Sequence, residues 1–134
     1  MPGLTLAEAH RMLDAGLAEA DVIGQPMNVA VVDGGGHLVA FARQDGAIRA
    51  SIDIAQRKAR TSILMEAPTA ALMPMVQPGA ELYGLEQTAG GMVVFGGGVP
   101  VHRDGELVGA VGVSAGSAEQ DTRVAEAAAA AIKA

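Results

Sequence analysis

The amino-terminal segment predicts an amphipathic helix between residues 5 and 24. Its apolar positions recur at the spacing of one helical face. They are Ala9, Leu13, Leu17 and Ala20. Thr5 and Glu8 have the spacing of a capping box, in which each side chain accepts a hydrogen bond from the other residue's backbone N–H. Gly24 and Pro26 are residues that end helices, so the helix is expected to stop there.

Five short runs of alternating or β-branched residues predict five strands. The runs cover residues 27–32, 37–43, 92–95, 99–103 and 106–113. The segment Asp33-Gly34-Gly35-Gly36 and the pair Asp104-Gly105 are turns of the kind that joins two antiparallel strands. Because hairpins make antiparallel neighbours, the sheet is expected to be largely antiparallel. Gly109 and Gly112 in the last run indicate that another backbone approaches closely there.

Two further helices are predicted around these strands. The first has Ser51 as its cap and runs to about Glu66, with Lys58 and Thr61 on its apolar stripe. The second begins at Ser117. The segment between the first of these helices and the later strands is rich in proline and glycine and is expected to be irregular. Helices packed on a hairpin sheet make residues 1–134 one α+β domain.

Composition narrows the possible partners. The chain has 134 residues and a net charge of −6 from 9 basic and 15 acidic residues, which argues against nucleic acid as a partner. Five of the 9 basic residues lie between Arg43 and Arg60, which favours a small anionic ligand. The absence of cysteine excludes disulfides, thiolate nucleophiles and iron–sulfur clusters. No targeting or membrane-spanning segment is recognisable, so a cytoplasmic protein without a membrane partner is expected.

Three sequence blocks follow one another in a characteristic order. They are Val32-Asp33-Gly34-Gly35-Gly36-His37-Leu38-Val39, then Arg43-Gln44-Asp45-Gly46-Ala47 with Lys58-Ala59-Arg60-Thr61, then Gly97-Gly98-Val99-Pro100 with Gly109-Ala110-Val111-Gly112-Val113-Ser114. In this order and spacing they resemble the GlcG/HbpS-like family, which also supplies the C-terminal domain of PduO-type proteins. The resemblance implies a profilin-like α/β/α sandwich with a five-stranded antiparallel sheet, and it implies homo-oligomers. Some members bind haem, and others belong to small-acid or cobalamin-related operons.

The resemblance and the basic cluster together suggest a protein that binds haem or a similar anionic tetrapyrrole. Haem needs an axial iron ligand and an apolar slot. His10 is the candidate iron ligand, and an ordinary surface histidine beside Asp14 is the alternative. Arg43 and Lys58 are expected to meet the propionates, because guanidinium and ammonium groups bind carboxylates.

Further candidate ligand-binding residues surround these. They are Arg60, Thr61, His37, Gly97, Gly98 and Pro100. His37 holds the family's usual position after the glycine turn, and it either holds that turn or lines the pocket. Gly97 and Gly98 either offer backbone N–H groups to an anion or form a bend between strands. Pro100 would make the rim of such a site rigid.

Two other functions stay open at this level. One is an enzyme without an organic cofactor that moves a proton on a small carboxylic acid, with Asp45 or Asp121 as its base. The structural alternative is that Arg43 pairs with Asp45, that Lys58 covers apolar surface and that Asp121 interacts with the helix dipole. The other function is an accessory oligomeric scaffold. The three scattered histidines do not predict a metal site made of side chains alone.

Overall fold

The computed structural model describes residues 3–132, and its first element is helix α1 (Leu6–Ile23). Thr5 Oγ1 accepts from the backbone N–H of Glu8 at 3.1 Å, and the Glu8 carboxylate accepts from the backbone N–H of Thr5 at 2.9 Å. Gly24 follows the helix in the left-handed conformation, with φ of 80°. Both ends of the predicted helix, including its capping box, are confirmed.

Four antiparallel strands form one sheet within residues 3–132. They are β1 (Asn28–Asp33), β2 (Leu38–Arg43), β3 (Gly98–Arg103) and β4 (Glu106–Ser114). The strand order is β2-β1-β4-β3, so that β2 and β3 are the edges. The antiparallel α+β fold is confirmed, and the prediction of five strands is wrong.

Residues 92–95 are the segment that does not join the sheet. The backbone N–H of Met92 donates to a carbonyl of the preceding turn at 2.9 Å, and that of Val93 donates to Thr61 Oγ1 at 3.1 Å. These donors are satisfied outside the sheet, so the segment has no need of a strand neighbour. The pairing of β3 with β4 starts only at Gly98. A short β-branched run does not distinguish a buried extended segment from a strand.

Helices α2 (Ala50–Met65) and α3 (Ala118–Ala129) complete a three-layer sandwich. Along β1, Val29 and Val31 pack in a cluster with residues of α1 and α3. Val32, whose side chain points the other way, packs with residues of α2. Helices therefore cover both faces of the sheet, with α2 alone on one of them. No helix in the described residues is long and apolar enough to cross a membrane.

The cap predicted for the second helix is wrong, whereas the predicted start of the last helix is confirmed. Helix α2 starts before Ser51, and Arg49 occupies its N-cap position without a side-chain hydrogen bond. Ser51 is buried instead, and its hydroxyl oxygen lies 3.0 Å from that of Ser114. Helix α3 does begin at Ser117, its N-cap residue, which forms a capping box with Gln120.

The segment between α2 and β3 is irregular, as predicted. It contains two 3₁₀ helices, Thr69–Met75 and Leu85–Gln87. Leu72, Val76 and Val94 form a small apolar cluster of their own within this segment. The first of the two 3₁₀ helices packs beside α2 and β3.

Glycines let α2 lie very close to the sheet. A Cβ atom at Gly112 would collide with the backbone carbonyl oxygen of Ala55, and one at Gly98 would lie 2.5 Å from that of Lys58. A Cβ at Gly109 would collide with the backbone of the neighbouring strand. The predicted close approach at Gly109 and Gly112 is therefore confirmed, and it sets the position of Lys58 above the sheet.

Candidate functional site

A lysine and an aspartate form an ion pair inside the protein, between α2 and the start of α3. Lys58 Nζ lies 2.9 Å from Asp121 Oδ2 and donates to the carbonyl oxygen of Val113 at 2.8 Å. The two side chains are 0% and 3% exposed. Asp121 Oδ1 accepts from the backbone N–H of Gly116 at 2.9 Å. The pair thus ties together α2, the end of β4 and the start of α3.

Burial shifts the titration of both partners. It lowers the pKa of the Lys58 ammonium, while the Asp121 carboxylate acts in the opposite direction. It also raises the pKa of the Asp121 carboxyl, against the effect of Lys58 and of the hydrogen bond from Gly116. Removal from water disfavours the charged form of each group, so each charge depends on its partner.

A glycine bend encloses this pair on one side. Gly97 has a φ of 132°, and a Cβ there would lie 2.5 Å from Lys58 Nζ. The centroid of the Phe95 ring lies 5.0 Å from the same nitrogen, within the range of a cation–π interaction. Gly98 donates its N–H to Thr69 Oγ1 at 2.9 Å. Both Gly97 and Gly98 are buried. Their arrangement therefore favours the interpretation as a bend between strands rather than as an open anion site.

An open groove, here named the apolar groove, lies beside this bend and has a volume of about 520 Å³. Ala70, Met73, Gly96 and Ala118 line its apolar side. Arg123 is among the charged residues at its rim. The Met73 side chain is 40% exposed. The groove therefore presents apolar surface to the solvent beside the elements that the Lys58–Asp121 pair holds together.

A second groove, here named the arginine groove, opens between α2 and the hairpin of β1 and β2, with a volume of about 350 Å³. Arg57 and Arg60 both line it. Arg57 Nε lies 2.7 Å from Asp53 Oδ2, and Arg57 Nη1 donates to the carbonyl of Gly90 at 3.0 Å. Arg60 is half-buried, and its guanidinium has no hydrogen bond or ion pair to another side chain or carbonyl of residues 3–132.

The structure separates Arg43 and Asp45 from Lys58. Both are exposed and line a hollow at the end of α1, whereas Lys58 is enclosed with Asp121. No ion pair joins Arg43 to Asp45 in the described part of the chain. The cluster expected from the sequence is therefore dispersed. The ligand-binding roles predicted for these residues stay predictions. The ammonium group of Lys58 already donates hydrogen bonds to Asp121 and to a backbone carbonyl within the protein.

All three histidines lie on the surface. His10 is exposed on α1, and His102 is exposed on β3. The side chain of His37 is 82% exposed, and its Nδ1 lies 3.4 Å from Asp33 Oδ1. Asp33 also accepts from the backbone N–H of His37 at 3.0 Å, which holds the turn. No group of three or more acidic or histidine side chains within residues 3–132 could hold a metal ion.

Thr61 and Pro100 have structural contacts, and they line neither of the two grooves nor the hollow at the end of α1. Thr61 Oγ1 donates to the carbonyl of Arg57 at 2.7 Å and accepts from the N–H of Val93 at 3.1 Å. Pro100 is half-buried on the edge strand β3, opposite Ala110 of β4. Their predicted ligand-binding roles stay predictions.

Sequence reasoning missed a buried polar cluster at one end of the sheet. Asn28 Nδ2 donates to the carbonyl of Ile48 at 3.3 Å, and its Oδ1 has no partner within residues 3–132. Ser51 and Ser114 lie hydroxyl to hydroxyl, and Ser114 pairs in register with Asn28. No sequence pattern marks this cluster. The Lys58–Asp121 pair, in contrast, has a signal in the sequence: Lys58 lies on the apolar stripe of its helix, and a buried lysine needs a partner of opposite charge.

Comparison with known proteins gives a consistent result. A model of the family described as "Haem degrading protein HbpS-like" matches residues 4–130. A 15.0 kDa protein of the dhaT-dhaS intergenic region of Citrobacter freundii is 44% identical over 124 residues, which are 92% of this chain and 87% of that protein.

Two further similarities involve PduO proteins. The corrinoid adenosyltransferase PduO of Citrobacter freundii is 41% identical over 130 residues, which are 96% of this chain but only 39% of PduO. The crystal structure of a PduOC:heme complex superposes with a TM-score of 0.93 at 39% identity, covering 98% of this chain and 96% of the other.

Proposed function

Because the chain belongs to the HbpS-like family, we propose that it binds haem or a similar anionic tetrapyrrole and that it does so as a homo-oligomer. The observation that carries this proposal is the similarity to the PduOC:heme complex, which extends over 98% of the chain. The adenosyltransferase activity of PduO is not part of the proposal, since the similarity covers only 39% of that protein.

The surface of the chain fits a haem held from outside. Haem requires an axial ligand and apolar contact for the macrocycle. His10, His37 and His102 are all exposed, and none of them lines the grooves described above. Met73 and Phe95 are exposed beside the apolar groove. These features favour a macrocycle that lies against the protein surface rather than one that is inserted into an internal slot.

We assign the role of iron ligand to His10. It lies on the exposed face of α1, and Asp14 follows one helical turn later, where its carboxylate can orient the imidazole. Arg43 is an accessible guanidinium group for propionates. Lys58 is the weaker candidate for that role, because its ammonium already binds Asp121. Bound haem supplies a redox-active iron, and the residues of the chain ligate and orient it.

Titration with hemin, followed in the Soret band, tests both the function and the ligand. The wild-type protein is expected to show saturable binding, and His10→Ala is expected to lose the Soret shift. His37→Ala and His102→Ala serve as matched controls because each removes one exposed imidazole and is expected to keep the shift. If His37→Ala or His102→Ala loses it instead, the assignment of His10 is wrong. If the wild-type protein shows no saturable site at micromolar concentrations, haem binding is wrong.

Proton transfer on a small carboxylic acid is supported by one observation. Burial raises the pKa of Asp121, one of the two candidate bases, as such chemistry requires. Its carboxylate is enclosed by Lys58 and Gly116, so a substrate reaches it only if the ion pair opens. The other candidate base, Asp45, is exposed. Haem binding is therefore the better supported function.

A further inference from the structure

We propose that the arginine groove is a second binding site, which takes a carboxylate carried on a short apolar group. The groove lies between α2 and the β1–β2 hairpin and contains no histidine. Its proposed role is thus independent of iron ligation and goes beyond the haem function proposed above. Three features of the groove carry the inference: an unpaired guanidinium, glycine turns that leave it accessible, and an exposed leucine beside it.

The unpaired guanidinium is that of Arg60. Its neighbour Arg57 is neutralised by Asp53 at 2.7 Å and held by the carbonyl of Gly90 at 3.0 Å. Arg60, three residues further along α2, has no such partner within residues 3–132. Its charge is uncompensated although the chain carries a net charge of −6. A planar guanidinium binds a carboxylate through two parallel hydrogen bonds, so a carboxylate is its best-matched ligand.

Two glycine turns lie beside Arg60, and neither adds a side chain to the groove. Gly36 has a φ of 82° and Gly90 a φ of 79°, conformations that favour glycine. A Cβ at Gly36 would lie 3.6 Å from Arg60 Cγ, and one at Gly90 would lie 3.9 Å from Arg60 Nη2. Longer side chains at these positions would fill the groove. The two turns therefore border the guanidinium with backbone alone.

The lining of the groove is partly apolar. Val32 of β1 and Leu38 of β2 line it beside the polar side chains of Asp53 and Gln56, and Leu38 is 50% exposed on the edge strand β2. A ligand with its carboxylate on Arg60 can place a short apolar chain on Leu38, which removes that side chain from water. The small volume of about 350 Å³ fits a short acid or one propionate arm of a larger molecule.

Titration with sodium butyrate, followed by amide chemical shifts, tests this site without haem. The reporters are the backbone amides of Gly36 and Gly90, which border the groove. Saturable shifts are expected at both amides, and Arg60→Gln is expected to raise the dissociation constant roughly tenfold or more. Arg49→Gln is the matched control: it makes the same charge change on the exposed start of α2, outside the groove, and is expected to leave binding unchanged.

Butyramide supplies the second control, because it has the same chain without the charge. Equal shifts with butyrate and butyramide, no saturable shift, or equal loss in both arginine variants would overturn the proposal. A competition with hemin then identifies the source of the carboxylate. Displacement of butyrate by hemin assigns the groove to a propionate and rests on the haem proposal, whereas butyrate binding that hemin leaves unchanged assigns it to a free acid.

Discussion

At the scale of single residues, the Lys58–Asp121 pair is the feature on which the surrounding elements depend. Both charges are removed from water, so their mutual attraction is offset by desolvation. Such a pair adds little net stability compared with apolar residues, but loss of one partner leaves a buried charge alone. The pair therefore acts chiefly by fixing how α2, β4 and α3 meet.

Lys58→Met is expected to lower the free energy of unfolding by about 3–5 kcal/mol, because it leaves the Asp121 carboxylate buried without its partner. The double variant Lys58→Met/Asp121→Asn is expected to recover much of this loss. Urea denaturation of the two variants measures both values. The exposed pair of Arg57 and Asp53 provides the control, since Asp53→Asn should cost at most about 1 kcal/mol. Equal losses for Lys58→Met and Asp53→Asn would contradict the account.

Glu8 carries a pH-dependent part of the stability. The backbone N–H of Thr5, and after it Arg103, lower the pKa of the Glu8 carboxyl below its ordinary value of 4.5. The resulting stabilisation is fully present above that value and is lost as the pH falls through the lower value of the folded state. Glu8→Gln, which keeps an acceptor for the cap, should therefore be less stable than wild type at neutral pH and nearly equal to it in acid.

Denaturation curves at several pH values measure this difference. Glu126→Gln, which removes an exposed carboxylate from α3, is the matched control and should differ little from wild type at any pH. A constant gap between wild type and Glu8→Gln down to strongly acidic pH would show that the charge of Glu8 is not the cause.

The residue-scale features differ in how far the sequence predicts them. Local pairs such as Thr5 with Glu8 follow from a fixed spacing along the chain. The sequence offers Lys58 and Asp121 as separate candidate residues, but their contact spans 63 positions, and no local spacing encodes it. The same holds for the dispersal of Arg43 and Lys58, which depends on where β2 and α2 lie in the finished fold.

At the scale of elements, the packing of α2 on the sheet depends on glycine. Gly112→Ala is expected to cost about 1–3 kcal/mol, because its Cβ would collide with the backbone carbonyl of Ala55 and move the helix. Thermal or urea unfolding measures the loss. Gly34→Ala is the matched control, since its Cβ would meet only ordinary contacts at 3.6 Å or more. A loss at Gly112 no larger than that at Gly34 would contradict the close packing described here.

The sequence predicts the ends of two helices better than it predicts the number of strands in the sheet. Helices α1 and α3 begin with capping boxes, which are local signals. The start of α2 has no side-chain cap within the described chain. Ser51, the cap that the sequence predicts, is instead buried beside Ser114. The segment 92–95 has the composition of a strand, but its partner is the hydroxyl of Thr61, a tertiary contact that composition does not encode.

At the scale of the whole molecule, several large apolar side chains are exposed on the single chain. They include Leu6, Val22, Ile48, Met75 and Tyr83. In the proposed homo-oligomer, those of these side chains that lie at a subunit interface would be removed from water. Light scattering is expected to give a mass of two or more chains, each of 13.5 kDa. A mass of one chain at micromolar concentration would contradict it.

Haem binding is the central claim, and an equilibrium titration of the wild-type protein with hemin tests it most directly. The protein is purified without added haem, and the Soret band is followed to saturation. The account predicts a saturable site at one haem per subunit or per two subunits, since the proposed ligand His10 is exposed on every chain. A linear, non-saturating response at micromolar concentrations would contradict the account.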